Sequence, residues 1–262
     1  MRRAFLLLLV AAPASCVLAQ ESTNNKSLPE ELAITRSVVI QEADELESTF
    51  SFQYARSQPR EAYAVDAEFE YGLTDRWEID ADVPYEFLQP KNEAGANGIG
   101  DVEAAVRYGV IPIGKQPLAL TAGLGFGIPT GDRTRDLGEG RLTLEPFFTA
   151  GMWLGPCNVQ LNGGWTRAVT DSGDEPRDDF EYNVAILYPV GRWCVVVEGN
   201  GESNSDSTTY YVTPELIWRP MKNLELLVAA PLGITRESAD YGVVAEVSLE
   251  LEGITHRGTD KD

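Results

Sequence analysis

The chain is 262 residues long, 43% apolar, with 41 acidic residues against 21 Lys and Arg. That is enough length and apolar content for one large folded domain. A net charge of −20 excludes tight binding to nucleic-acid phosphates or to an anionic membrane surface, both of which need clustered cations.

Residues 1–19 read as a secretory signal peptide: Arg2 and Arg3, an apolar run over 4–12, and a small-x-small site with Val17 and Ala19 ahead of the cut. The rival reading, lipoprotein processing at Cys16, is opposed by Pro13, which stands where a lipobox prefers leucine. Cleavage removes two arginines and no acid, leaving a charge of −22. Residues 20–45 are polar, rich in Asn and Glu, and without sustained period. They read as a flexible periplasmic leader, in which 28–34 suits a short helix or a fold into a pore mouth.

From residue 46 the hydrophobic period becomes two and is sustained to 252. Twelve strands are expected, over 46–56, 62–72, 76–88, 99–111, 117–129, 141–154, 157–168, 179–189, 192–202, 209–219, 223–234 and 241–252. In each, apolar residues alternate with polar ones, as a pleated strand with two different faces requires. Pro84, Pro146 and Pro214 fall inside these spans and predict local irregularity, because proline cannot donate to the ladder. Residues 253–262 are a polar C-terminal tail. Cys157 and Cys194 open the seventh and ninth strands. They sit two strands apart, roughly 10 Å across a sheet, too far for a disulfide.

Three features favour a transmembrane barrel over a soluble sandwich. The strands are long enough to cross a bilayer at a tilt. Short connections alternate with long ones, as periplasmic turns and external loops do. Aromatic residues cluster near the short turns: Trp77, Trp153, Trp193 and Trp218, with Tyr71, Tyr108 and Tyr188, form an expected girdle at one headgroup level. The fold class is therefore all-β, an antiparallel transmembrane β-barrel of about twelve strands in a bacterial outer membrane, with outer-membrane lipid as its surroundings.

If the apolar face meets lipid, the lumen receives Asp66, Glu68, Glu70, Glu78, Asp80, Asp82, Asp101, Glu103, Arg107, Glu145, Glu181, Glu198, Glu215, Glu225, Glu246 and Glu250. Fifteen carboxylates and one arginine cannot stay unpaired in a dry interior. Water can fill the lumen and make a cation-preferring pore, carboxylates can share protons, or Arg56, Arg141, Arg167, Arg219 and the leader can fold in and pair with them.

Three segments carry a family resemblance: 72–78 (Gly-Leu-Thr-Asp-Arg-Trp-Glu) followed by 82–85 (Asp-Val-Pro-Tyr); 98–102 (Gly-Ile-Gly-Asp-Val) running into 106–108 (Val-Arg-Tyr); and 126–132 (Phe-Gly-Ile-Pro-Thr-Gly-Asp). Over roughly residues 60–250 the chain resembles the outer-membrane transporter family named for the meta-pathway of phenol degradation. The resemblance implies a β-barrel that passes small, often aromatic, hydrophobic molecules. Read for themselves, the segments are turn and strand-entry chemistry. Gly98-x-Gly100 is no nucleotide fingerprint, because no helix is expected after it.

No catalytic residue, cofactor or metal site is expected. The single histidine, His256, lies in the tail. Asp171, Asp174, Asp178 and Asp179 read as a solvated acidic loop. Two functions remain. One is a channel that passes small solutes passively, either small aromatic or hydrophobic compounds or cations through the acidic lumen. The other is a plugged structural or adhesive barrel that acts through its external loops.

Overall fold

A computed structural model describes residues 28–57, 60–90, 95–114, 117–170 and 176–254. The signal sequence, residues 20–27, the Asp171–Asp174 stretch and the tail with His256 lie outside the described residues.

Fourteen strand segments follow one another along the chain: β1 (Glu45–Ser57), β2 (Arg60–Thr74), β3 (Trp77–Pro90), β4 (Ala96–Ile99), β5 (Val102–Ile111), β6 (Leu118–Ile128), β7 (Thr143–Leu154), β8 (Cys157–Ala168), β9 (Asp178–Val190), β10 (Trp193–Ser203), β11 (Thr208–Met221), β12 (Leu224–Ala229), β13 (Leu232–Gly233) and β14 (Tyr241–Glu252). Both β4 and β5 pair with β3, and both β12 and β13 bridge β11 and β14. Each couple is thus one interrupted span, and the segments form twelve antiparallel spans. The sheet closes on itself where β1 pairs with β14, in register from Glu45 opposite Glu252 to Arg56 opposite Tyr241. Closure leaves no unpaired sheet edge, which a bilayer requires of any β structure.

The interruptions sit at prolines. Pro84 lies opposite the break between β4 and β5, where its carbonyl accepts from the Gly100 N–H at 3.0 Å. Pro214 lies opposite the break between β12 and β13, its carbonyl accepting from the Ala230 N–H at 3.1 Å. Pairing of β7 with β8 likewise skips from Leu144 to Phe147, past Pro146. In each case proline keeps one neighbour and loses the ladder to the other, as its missing N–H dictates. Two of the shortest turns, Gly155-Pro156 and Gly191-Arg192, begin with glycines at φ 64° and 63°. Positive φ at the first turn residue matches the twist of a two-residue hairpin and is open to glycine.

Outward positions form a continuous apolar band. Phe50, Phe69, Ile186, Val195, Val197, Leu216 and Val247 are all exposed. A solvated protein would not leave so large a patch uncovered. Rings flank the band at both ends. Near the short turns Trp193 stacks on Trp218 (5.4 Å) and Trp77 meets Tyr108 (4.6 Å), while near the long loops Tyr182 meets Tyr210 (5.9 Å) and Tyr54 meets Tyr241 (6.1 Å). Tyr71 and Tyr188 also face outward near the short turns.

Trp153 departs from the expected girdle. It shares the inward parity of Glu145, Phe147 and Thr149 on β7 and packs half-buried against the interior cluster. Residues 28–44 run inside the barrel, the fold-in alternative to a flexible leader. Leu28, Leu32 and Val38 pack there on inward apolar positions that include Leu187, Cys194, Val196, Ile217 and Leu227.

Cys157 and Cys194 are both free thiols, and Cys194 is fully buried behind this packing. A maleimide should therefore label Cys157 first in the folded protein. Cys194 should label only after denaturation or after deletion of residues 28–43; equal labelling of both in the intact barrel would contradict the packing.

Candidate functional site

The inward parity of the spans collects the carboxylates in the lumen. Asp66, Glu70, Glu78, Glu145, Glu198, Glu215 and Glu225 are buried there, as is Arg107. Glu68, Asp80, Asp82, Asp101 and Glu103 border internal cavities, as does Glu246. Glu181 is half-buried and lies 3.8 Å from Arg36. Glu250 stands at the rim with Glu45 and Glu252.

What these groups meet is the N-terminal segment. At Leu28, its first described residue, the carbonyl accepts from Arg219 (3.2 Å) at the short-turn end of β11. The segment rises to an apex over residues 33–36 and returns to the same end, where it joins β1. Such irregular backbone has no ladder, and each buried N–H left unpaired costs about 1–3 kcal/mol. The wall supplies the acceptors. Ala33 N–H donates to Glu215 (3.2 Å), and the N–H groups of Ile34 and Thr35 donate to Glu198 (3.2 and 2.7 Å). The Thr35 hydroxyl also donates to Glu198. Val38 N–H donates to Gln160 (2.8 Å) and Gln41 N–H to Glu78 (2.5 Å).

Two arginines complete the fit. Arg107 on β5 holds Glu70 and Glu78, each at 2.8 Å, and donates to the carbonyls of Ser37 and Val39 at 2.7 and 2.6 Å. Arg36 at the apex grips both oxygens of Glu145 at 2.5 and 2.7 Å and lies 4.3 Å over the Phe147 ring. Fork geometry on a carboxylate with an aromatic face beneath suits arginine and not lysine. Of the other arginines, Arg219 is 3.9 Å from Glu225, and Arg141 pairs with Glu139 (2.6 Å) near the long loops. Arg167 pairs with Asp178, and Arg56 donates to Tyr241 (3.3 Å), both exposed to solvent.

Above the apex, toward the long loops, the lumen opens into a cavity of about 870 Å³ whose floor includes Ala33 and Ile34. Smaller cavities of about 180 and 170 Å³ flank the segment along the β1–β5 wall. The arrangement is an acid-lined vestibule closed at mid-barrel by the chain's own N-terminal segment.

The acids share the inward parity that the alternation of each span defines. That parity also marks the inward apolar set, since Ala185 and Leu187 share the face of Glu181 and Asn183, and Val196 that of Glu198. Arg36 is the functional residue that periodicity missed, because the segment carrying it has no period.

The fold is that of porin-like outer-membrane β-barrels. The chain is similar to the COG4313 outer membrane channel from Pseudomonas putida F1, at TM-score 0.65 and 13% identity over 80% of this chain and 97% of that one. It is similar also to NanC porin (TM-score 0.54, 11% identity, 79% and 100% covered) and to KdgM porin (0.52, 9%, 78% and 98%). No curated protein matches by sequence. The family model described as "Putative MetA-pathway of phenol degradation" matches residues 88–251, more than half of the chain, and the chain belongs to that family.

Replacing Arg107 with alanine would strand two buried carboxylates and two carbonyls. Loss of one partner of such a buried pair is worth roughly 3–5 kcal/mol. Arg107→Ala should therefore lower the urea midpoint of the refolded barrel sharply, and an unchanged midpoint would refute the assigned network. Burial, reinforced by the carboxylates of Glu68, Glu70, Glu47 and Glu246, pushes Glu31 well above the ordinary carboxylate range. Docking of the segment then takes up a proton at Glu31, so docking is favoured below that raised value and lost as pH rises through it. Protection of Cys194 against a pH-insensitive thiol reagent should fall with rising pH, and Glu31→Gln should flatten the dependence.

Proposed function

We propose that the protein is a passive outer-membrane channel for small solutes, entered from the external side and closed at mid-barrel by residues 28–44. The supporting observation is the closed barrel with an apolar exterior, a polar interior and a large vestibule that ends on a non-covalently held segment. Short turns mark the periplasmic end and long loops the external one. The segment therefore enters from the periplasm, and the vestibule faces outward. Similarity of fold to channels and porins supports the same reading. A KdgM porin is described in complex with disordered oligogalacturonate, a polyanion. The carboxylates lining this vestibule argue against such cargo and for cationic or neutral solutes.

Passage needs the segment to shift, since its backbone and its contacts with Arg107 and Glu145 fill the lumen below the vestibule. A second reading follows from the same contacts: a barrel permanently filled by this segment, working through its loops. Planar-bilayer recording separates the two. The channel reading expects brief, small, cation-preferring steps from the intact chain. Large sustained conductance should follow deletion of residues 28–43, and cation preference should fall in Asp82→Asn/Glu103→Gln. Silence from the intact chain, with current only from the deletion, would favour the filled barrel.

A further inference from the structure

We propose that the connection between β6 and β7, residues 129–142, is a fixed constriction at the outer mouth of the vestibule, and that Asp101 is the positioning residue that holds it there. This deepens the channel reading and takes from it only the outward position of the mouth. Three observations lead there.

First, the connection turns into the lumen. Asp101 shares the inward parity of Glu103 and Arg107, so whatever bonds its carboxylate stands on the lumen side of the wall. Both of its oxygens are taken by this connection: the Gly131 N–H donates to Oδ1 (2.9 Å) and the Glu139 N–H to Oδ2 (2.7 Å). Leu137, 1% exposed, packs against Gly98 of β4, on the face opposite the outward Ile99. Gly138, Glu139 and Arg141 then line the same cavity as Tyr211, which stands across the ring on β11.

Second, the connection is built to stay in place. The Asp132 carboxylate accepts from the N–H and hydroxyl of Thr134 (3.0 and 2.6 Å), and its carbonyl accepts from the N–H groups of Arg135 and Leu137 (2.9 and 3.1 Å). Where the ladder of β6 ends, the Thr130 hydroxyl continues the seam, donating to the Gly100 carbonyl (2.8 Å) and accepting from the Val102 N–H (2.9 Å). At the far end Arg141 donates to Glu139 (2.6 Å) and to the Pro176 carbonyl, which ties this connection to the next external one. The fit is close: a Cβ at Gly131 would overlap the Leu137 carbonyl, and one at Gly138 would overlap the Asp101 carboxylate.

Third, the contact joins two sequence segments that the lumen and its N-terminal segment leave unused. Gly98, Gly100 and Asp101 belong to one family segment, and Thr130, Gly131 and Asp132 to another. Their interlock gives both a single task. A solute that enters from outside passes a backbone edge at Gly138 and Glu139, and an edge held at both ends discriminates by size.

The test reads the loop and the access to the vestibule separately, and neither readout uses current. Full-length protein in nanodiscs is exposed to trypsin, and cuts after Arg133 and Arg135 are followed by mass spectrometry. Both arginines are exposed, but a protease needs the segment to open, so the rate follows the open population. Asp101→Ala removes two charge-assisted acceptors and should speed these cuts about tenfold or more. Cutting after Arg236, exposed in the connection between β13 and β14, should not change. For access, Ala64→Cys places a thiol on the vestibule wall, in a Cys157→Ser background. With the loop held, a polymer-bearing maleimide should label that thiol far more slowly than N-ethylmaleimide. Adding Asp101→Ala should speed the polymer reagent about tenfold or more, in step with loop opening, with little change for the small one. Gly131→Val crowds the loop and leaves every strand residue in place; it should act alike, and it carries the test if Asp101→Ala does not refold. Unchanged cutting at Arg133 and Arg135 would overturn the role of Asp101. A freed loop with unchanged access for the polymer reagent would overturn the constriction. Normal channel currents alongside either result would leave the channel standing; both expected results in a barrel that carries no current would overturn the channel and leave the constriction.

Discussion

Everything in this structure depends on closing the sheet. In hydrocarbon an unpaired backbone N–H or C=O costs several kcal/mol, so a β structure can cross only as a ring. The pairing of β1 with β14 over Glu45–Arg56 meets that condition. Closure then forces a division of labour, because successive side chains point to opposite faces. One parity meets lipid and must be apolar; the other is committed to a narrow interior whatever its chemistry.

The interior chemistry is mostly carboxylate, and that creates the second problem. The protein meets it from within its own chain. Residues 28–44 bring backbone N–H donors and Arg36 to wall groups that need them, and the wall gives that segment the acceptors which an irregular backbone lacks. Glu198 shows the exchange most clearly: fully buried, it accepts from the N–H groups of Ile34 and Thr35 and from Asn200 (3.0 Å). Carboxylates in the periplasmic half are thus spent on holding the segment. Those in the external half line the vestibule.

Much of this was legible in the sequence. Period-two alternation over 46–252 gave the spans to within a few residues, and Pro84, Pro146 and Pro214 marked their irregularities. Parity also placed Glu68, Glu198 and Glu215 in the lumen. The errors came where parity was not applied or could not be. Nearness to a turn points Trp153 to the girdle, whereas its phase is that of Glu145. Residues 28–44 show no period because they form no regular element. Their order comes from long-range contacts such as Thr35 with Glu198 and Arg36 with Glu145, more than a hundred residues apart, and no local pattern records those. The three family segments mark turns and strand entries, so they identify the barrel while saying little about what passes through it.

The central claim is that the wall carboxylates hold residues 28–44 inside the lumen, and amide hydrogen exchange tests it most directly. The account predicts that the N–H groups of Thr35, Val38 and Gln41 exchange as slowly as those of the flanking strands, and that Glu198→Ala releases Thr35 first. Exchange of these three amides at the rate of free peptide in the intact barrel would contradict it.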